Sequence, residues 1–326
     1  MVSSKDVAKY AGVSQTTVSR VLNTPNLVKP KTVQKVLKAI DELHYIPNSQ
    51  ARSLVQNKTN TIALLSGPLH NPFFVDSTSN IVQYANQKGY NVDVQFVSDE
   101  TLDEAYTNFL KRKVDGVILS CILIDDPFME KLKKIGIPFI TFNRKHRDNE
   151  LYVEIDNEQA SFLATTYLQK LNHKEIIYVG GPLSVSTFYN RFEGFKKALT
   201  ITDKNLIYHS DTTPKDVRKG IDILLKRNPR VTGIVAATDS IALIILDYLL
   251  ELGIQVPKEI SIIGIDNVEQ AKHQSIQLTT VGDAHGENLG LLAIKKLIAL
   301  IEGETNVQTE VTKSVCIYER KTTMRC

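Results

Sequence analysis

Apolar positions along this chain follow two rhythms. The first 45 residues carry a helical one. Val7, Ala8 and Ala11 share one face of a helix over Lys5–Ala11, with Ser4 placed to cap it and Gly12 to end it. Ser14 caps a second helix, Gln15 to about Asn23, whose inner face is Val18, Val21 and Leu22. Pro25 and Pro30 bracket a loop. A third helix runs from Lys31-Thr32 to His44 and buries Val33, Val36, Leu37, Ile40 and Leu43. Three short helices with a tight Gly turn between the first two predict a helix-turn-helix head over residues 1–47. Residues 48–57 are polar and nearly without core positions, yet they lack the Gly and Pro of a floppy linker. Such a segment is expected to fold only on meeting a partner.

From Thr61 the rhythm changes, and short apolar runs alternate with longer amphipathic ones. Strands are predicted at Thr61–Leu65, Val92–Phe96, Gly116–Ser120, Pro138–Phe142, Glu175–Gly180, Gly233–Ala237 and Ile260–Ile265. Helices are predicted between them, near 76–88, 102–113, 127–135, 158–171, 190–199, 214–227 and 239–252. This alternation predicts an α/β core, 58–326, of two doubly wound parallel-sheet lobes behind the all-α head. A helix over 286–302 and one last strand near 312–318 follow both lobes, so the chain must recross. The expected division is about 60–158 with 285–312 for lobe 1, and about 159–284 with 313–326 for lobe 2. Ligands bind beyond the carboxyl ends of strands in such sheets, so two facing lobes place their sites around one cleft.

Composition narrows the class. The 326 residues are 42% hydrophobic and 23% charged, a globular balance. No run approaches a membrane span, and the N-terminus does not read as a signal peptide. Cys121, Cys316 and Cys326 are too few and too far apart for a disulfide framework or a zinc site, and they fit a reducing cytoplasm. Charge is unevenly placed. Residues 1–60 hold nine Lys/Arg and three acids, net +6, while the remainder is net −3. A basic head is an electrostatic footprint for nucleic acid, although charge alone fits a solvated tail equally well. Phosphate-loop, dinucleotide, zinc-protease and serine-hydrolase motifs do not occur, and the seven His lack metal-ligand spacing. Nothing here calls for an enzyme, a cofactor or a metal.

The run Asp6-Val7-Ala8-Lys9-Tyr10-Ala11-Gly12-Val13-Ser14-Gln15-Thr16-Thr17-Val18-Ser19-Arg20-Val21-Leu22-Asn23 resembles the DNA-binding head of the lactose-repressor (LacI/GalR-type) family of bacterial transcription regulators. The resemblance continues through Tyr45-Ile46-Pro47-Asn48 and Ala51-Arg52-Ser53-Leu54. It extends through the core in Val179-Gly180-Gly181-Pro182, Arg191-Phe192-Glu193-Gly194-Phe195, Asp239-Ser240-Ile241-Ala242, Ile263-Gly264-Ile265-Asp266-Asn267 and Glu319-Arg320-Lys321-Thr322-Thr323. The physics of the second helix agrees. Gln15, Thr16, Thr17 and Arg20 lie on one face near its start, where a recognition helix reads bases in the major groove, and Arg20 can fork onto guanine. Ser14, Ser19, Asn23, Tyr45 and Asn48 are candidate phosphate donors, which position without specifying.

The resemblance implies more. Residues 48–57 become the hinge that turns helical on the operator, with Ala51 in the minor groove and Leu54 wedged into the central base step. Val55 stands where some members place a Lys. In the core, Phe73 and Phe74 fall beside the effector pocket, with one of them equally readable as core. Asn143 takes the place of a frequent Asp ligand. Arg191 matches an effector-contacting Arg, with a structural ion pair as the other reading. Asp266 ends its strand where a carboxylate takes two hydroxyls. Asp239 reads as a helix cap or a ligand, with Thr238 in the contacting place, where an Asn is frequent. Asp156-Asn157 reads as a cap. Asp283 sits at the crossover and points to a different group on the effector. Val185 and Val235 stand where purine-responsive members carry an Arg and an aromatic, which counts against a purine.

The expected protein is therefore a cytoplasmic repressor that binds a near-palindromic operator as a homodimer, its chain ending at Cys326 without a tetramerising extension. Its effector is expected to be a sugar or sugar phosphate, and its genes those of carbohydrate uptake or catabolism. A phosphocarrier protein as corepressor is the alternative switch. A bare solute-binding module or an enzyme is a more distant one.

Overall fold

The computed structural model describes residues 2–45, 58–97, 101–148, 151–200 and 203–326, without the side chains of Asn23 and Leu110. Asn48, Ala51 and Leu54 lie outside the described residues, as does the side chain of Asn23. The chain divides into two compact units, 1–59 and 60–326.

The first unit holds helices α1 (Ser4–Ala11), α2 (Gln15–Asn23) and α3 (Pro30–Glu42). The cap of α1 is Ser3, not Ser4: its hydroxyl accepts from the Asp6 amide, and Asp6 reaches back to the Ser3 amide. This reciprocal box satisfies two orphan donors, which a lone Ser4 cap cannot do. Gly12 ends α1 at φ +67°, the left-handed conformation that Gly alone adopts without strain. Val7, Ala8, Val18, Val21, Val36 and Ala39 interlock as a small core, and Tyr45 packs against it.

In the second unit, one sheet is ordered β11-β5-β4-β3-β1-β2. Its strands are β1 (Thr61–Ser66), β2 (Asn91–Phe96), β3 (Gly116–Leu119), β4 (Phe139–Phe142), β5 (Tyr152–Ile155) and β11 (Glu310–Lys313), all parallel. The other is ordered β12-β10-β9-β8-β6-β7, from β6 (Ile176–Gly180), β7 (Ile207–His209), β8 (Gly233–Ala236), β9 (Ser261–Ile265), β10 (Thr279–Asp283) and β12 (Val315–Tyr318). Here only β12 is antiparallel, against β10. Helices α4 (Pro72–Gln87), α5 (Leu102–Leu110) and α6 (Phe128–Ile135) belong to the first lobe; α7 (Asn157–Lys170), α8 (Ser186–Leu199), α9 (Pro214–Arg227) and α10 (Asp239–Glu251) belong to the second. Helix α11 (Leu289–Ile301) returns to pack on α4, β3 and β4. The predicted single strand 312–318 is two strands in different sheets, broken at Ser314. The polar run Thr312-Lys313-Ser314 is where the chain leaves one sheet for the other, and a pattern read along the chain does not show which sheet a strand joins.

Helices α7 and α8 pack closely because Gly194 has no side chain. A Cβ there would lie 2.0 Å from the Glu158 carbonyl oxygen, a backbone atom held inside α7. Gly194→Ala is expected to cost about 2 kcal/mol or more of stability, as overpacking against an unyielding neighbour does. Urea denaturation followed by circular dichroism reads this directly.

Candidate functional site

The recognition face forms on the first unit. Ser14 caps α2 by accepting from the Thr17 amide at 3.1 Å, and its hydroxyl meets the Thr17 hydroxyl at 2.9 Å. Thr17 is thereby half-buried and occupied locally. Gln15 donates to the Ser4 hydroxyl at 2.9 Å, which lays its side chain along α1. Gln15, Thr16, Ser19 and Arg20 are exposed. Short polar groups and a guanidinium on the first turns of an exposed helix are what major-groove readout requires.

The second site lies between the lobes at the carboxyl ends of their strands. The β1 end leads to Phe73, the β4 end to Asn143, the β8 end to Thr238, the β9 end to Asp266 and the β10 end to Asp283. Phe73, Phe74, Asn143, Arg191, Thr238 and Asp266 line one narrow space of ≈ 40 Å³, room for about one water. Beside it opens a cleft of ≈ 470 Å³, shared by Phe73, Asn143, Asp266 and Asp283, within the range of small-molecule sites. The phenyl rings of Phe73 and Phe74 meet edge-on at 5.4 Å. The lobes also touch at the rim: Thr187 donates to the Asn143 carbonyl, Lys145 N–H to the Ser186 hydroxyl at 2.7 Å, and Glu269 N–H to Asp76 at 3.1 Å.

Arg191 is the centre of this arrangement and is wholly buried. Its Nε donates to Asn157 Oδ1 at 2.9 Å, Nη1 to the Ala237 carbonyl at 2.5 Å, and Nη2 to Asp266 Oδ1 at 2.7 Å. The ion-pair reading of Arg191 thus holds in this structure, and the residue lines the pocket as well. Backbone strain gathers at the same place. Asn143 (φ 64°), Asp266 (φ 130°) and Asn267 (φ 55°) are all left-handed, a conformation that costs ~1–3 kcal/mol for such residues and clusters at ligand sites.

Three sequence expectations change. Thr238, not Asp239, caps α10, accepting from the Ile241 amide at 3.1 Å. Asp239 lines neither space; it is buried behind Asp266, accepting from Thr280 Oγ1 at 2.5 Å and Val268 N–H at 3.0 Å. Gly264 makes room for it, since a Cβ there would sit 2.2 Å from Asp239 Oδ1. Val235 lies in the middle of β8, wholly buried and paired with Ile263, so it says nothing about the effector, whereas Val185 does line the pocket. Asp156 caps α7 as expected, accepting from Gln159 N–H at 2.9 Å. Nothing local in the sequence marks Thr187 or Asp76, and Asn157 reads there only as part of a cap. Their positions become functional only through partners distant in sequence.

A two-lobed ligand-binding core and a separate helix-turn-helix unit define a class of regulator that reads DNA and a small molecule together. Residues 4–48 match the family model for bacterial regulatory proteins, lacI family, and residues 59–323 match that for periplasmic binding proteins and the sugar binding domain of the LacI family. The chain belongs to this family; it is a DNA-binding transcriptional repressor and not an enzyme. It is 33% identical over 291 residues to the HTH-type transcriptional repressor PurR of Vibrio atlanticus, covering 86% of each chain. It is 29% identical over 326 residues to the ribose operon repressor of Haemophilus influenzae, covering 97% of each. Among solved structures it resembles the lac repressor dimer bound to operator and the anti-inducer ONPF, with TM-score 0.84, 28% identity and 99% of both chains covered. It also resembles the complex of the transcriptional regulator CelR with cellobiose, with TM-score 0.72, 27% identity, and 99% of this chain and 100% of that one covered.

Burial raises both Asp239 and Asp266 above the ordinary carboxyl range, and the charge of Asp266 helps push Asp239 up to about 7. A carboxyl with a raised folded pKa contributes its stability below its ordinary value and loses it as pH rises through the folded one. Asp239→Asn is therefore expected to gain on the wild type in Tm as pH rises from ~4 to ~7, by several degrees. Paired thermal melts across that range check it; parallel curves would mean Asp239 stays charged throughout.

Proposed function

We propose that the protein represses genes of carbohydrate uptake or catabolism in the cytoplasm, and that a small sugar held between the lobes sets its affinity for the operator. The observation that carries this reading is the Arg191–Asp266 pair, which lines with Asn143 and Phe73 the narrow space adjoining the cleft. A planar donor fork, a carboxylate and an amide together suit adjacent hydroxyls, and an aromatic face suits a sugar ring. The names of the ribose operon repressor and of the cellobiose complex support it. Between a sugar and a sugar phosphate, the acidic lining of the larger cleft favours the uncharged one, because Asp76, Asp283 and Glu269 would face the phosphate. A purine is the second reading, favoured by the PurR relatives. A phosphocarrier corepressor would act on the same two-state core.

A second copy of the chain would complete the operator-binding form. The exposed apolar residues Leu69 just before α4, Val75 on it and Leu250 on α10 are the candidates for its contacts. In that dimer Gln15, Thr16, Thr17 and Arg20 read bases, Ser14, Ser19, Asn23, Tyr45 and Asn48 hold phosphates, and Ala51 and Leu54 enter the minor groove.

Selection of binding sites from random duplex DNA is expected to enrich a palindrome with a central pyrimidine–purine step. Arg20→Ala should weaken binding to that site by ~1–3 kcal/mol, roughly 5–150-fold, and relax one base position. Equal affinity would remove Arg20 from base readout. Calorimetry with sugars, sugar phosphates and purine bases then tests the cleft. The expected result is sugar binding that Asn143→Ala weakens at least tenfold. Binding of a purine base alone would replace the sugar reading.

A further inference from the structure

We infer that the effector carries an amine, as a small amino sugar does, and that Asp283 receives it. This inference rests on the reading of the cleft as a sugar site and specifies the chemistry of the sugar.

The starting point is the charge lining the ≈ 470 Å³ cleft, five carboxylates against one lysine. Three of the carboxylates are answered by cations. Asp266 pairs with Arg191 at 2.7 Å, Glu269 with Lys272 at 2.5 Å, and Glu287 with Lys313 at 2.6 Å. Asp76 and Asp283 have no cation within ion-pair distance among the described residues, although Lys313, paired with Glu287, lies near enough to feel the charge of Asp283.

Asp283 is the informative member. It is 7% exposed, at the end of β10, where the chain crosses between lobes. Its Oδ1 accepts from the His285 and Glu287 amides at 2.9 and 3.0 Å, which fixes the carboxylate in place. The Tyr318 hydroxyl donates to its carbonyl at 2.6 Å and pins the backbone. Its Oδ2 is buried and has no hydrogen-bond partner. A buried acceptor left unsatisfied is costly, more so on a charged group, so one kept at a cleft calls for a donor from outside the chain. An ammonium brings three donors and the charge that this lining lacks. A neutral hydroxyl brings one donor and no charge, and a phosphate brings the wrong charge.

The test uses the full-length protein and two matched series: glucose, glucosamine and glucose 6-phosphate, and galactose, galactosamine and galactose 6-phosphate. Isothermal titration calorimetry reads affinity, and fluorescence anisotropy of labelled operator reads coupling. Within the series that binds, the amino sugar is expected to bind at least tenfold more tightly than its parent, with the phosphate weakest. Asp283→Asn keeps the Oδ1 bonds and should bring amino sugar and parent within about twofold of each other. Circular dichroism confirms that the variant is folded. A parent sugar that binds as well as its amine overturns the inference and leaves the sugar reading standing, as does an amine preference that survives Asp283→Asn. Binding of a purine base with silence from both series overturns the two together, and silence from every compound counts against both.

Discussion

The second unit is organised around the buried guanidinium of Arg191. From one position on α8 it reaches the start of α7, the end of β8 and the end of β9, through Asn157, Ala237 and Asp266. Removing one partner of such a buried pair typically costs ~3–5 kcal/mol, because the other charge is left uncompensated. The pair therefore fixes the strand ends that build the cleft. Asn157 follows directly on the first crossing between the lobes, so the same group also sits beside the point where the lobes are joined. Asn157 in turn donates to Glu154, whose carboxyl burial raises to about 6. Lobe packing and buried charge thus meet in one hydrogen-bonded chain.

The pair also explains how the cleft can answer a ligand. The space around Arg191 is nearly filled, whereas the neighbouring cleft is wide. Direct hydrogen bonds such as Thr187 to Asn143 and Glu269 to Asp76 cross between the lobes at either side. A ligand that competed with some of these and added others would change the balance between lobe arrangements by its difference in contacts. The left-handed residues Asn143, Asp266 and Asn267 hold strain at this seam, where a small shift changes which groups meet.

Much of the architecture was legible from local pattern. The alternation from Thr61 onward located the seven strands it named to within a residue or two, and Ser14, Gly12 and Asp156 acted as the caps and stop their chemistry predicts. Strands β5, β7 and β10 escaped for separate reasons: β7 has only three residues, Glu154 interrupts the apolar run of β5, and β10 carries a single large apolar residue, Val281. The break at Ser314 escaped because both sides of it read as one strand. At the site, Arg191, Asp266, Asn143 and Phe73 were legible as candidates, while the burial of Asp239 behind Asp266 was not. That depends on Gly264 leaving room for a carboxylate from 25 residues earlier in the chain.

The sequence by itself determined what is local: the helix starts and stops, the strand and helix periods, the basic charge of the head, and the residue types available at each strand end. Those follow from neighbours within a few positions, where capping, periodicity and backbone sterics operate. Only the tertiary structure decided which charges meet. Arg191 has three oxygens from three different elements around it, Asp283 keeps one oxygen without a partner, and Thr238 rather than Asp239 takes the cap. Burial and charge pairing depend on distances across the fold, and residues 75 positions apart come within 2.7 Å only when the helices and strands of the second lobe have packed together.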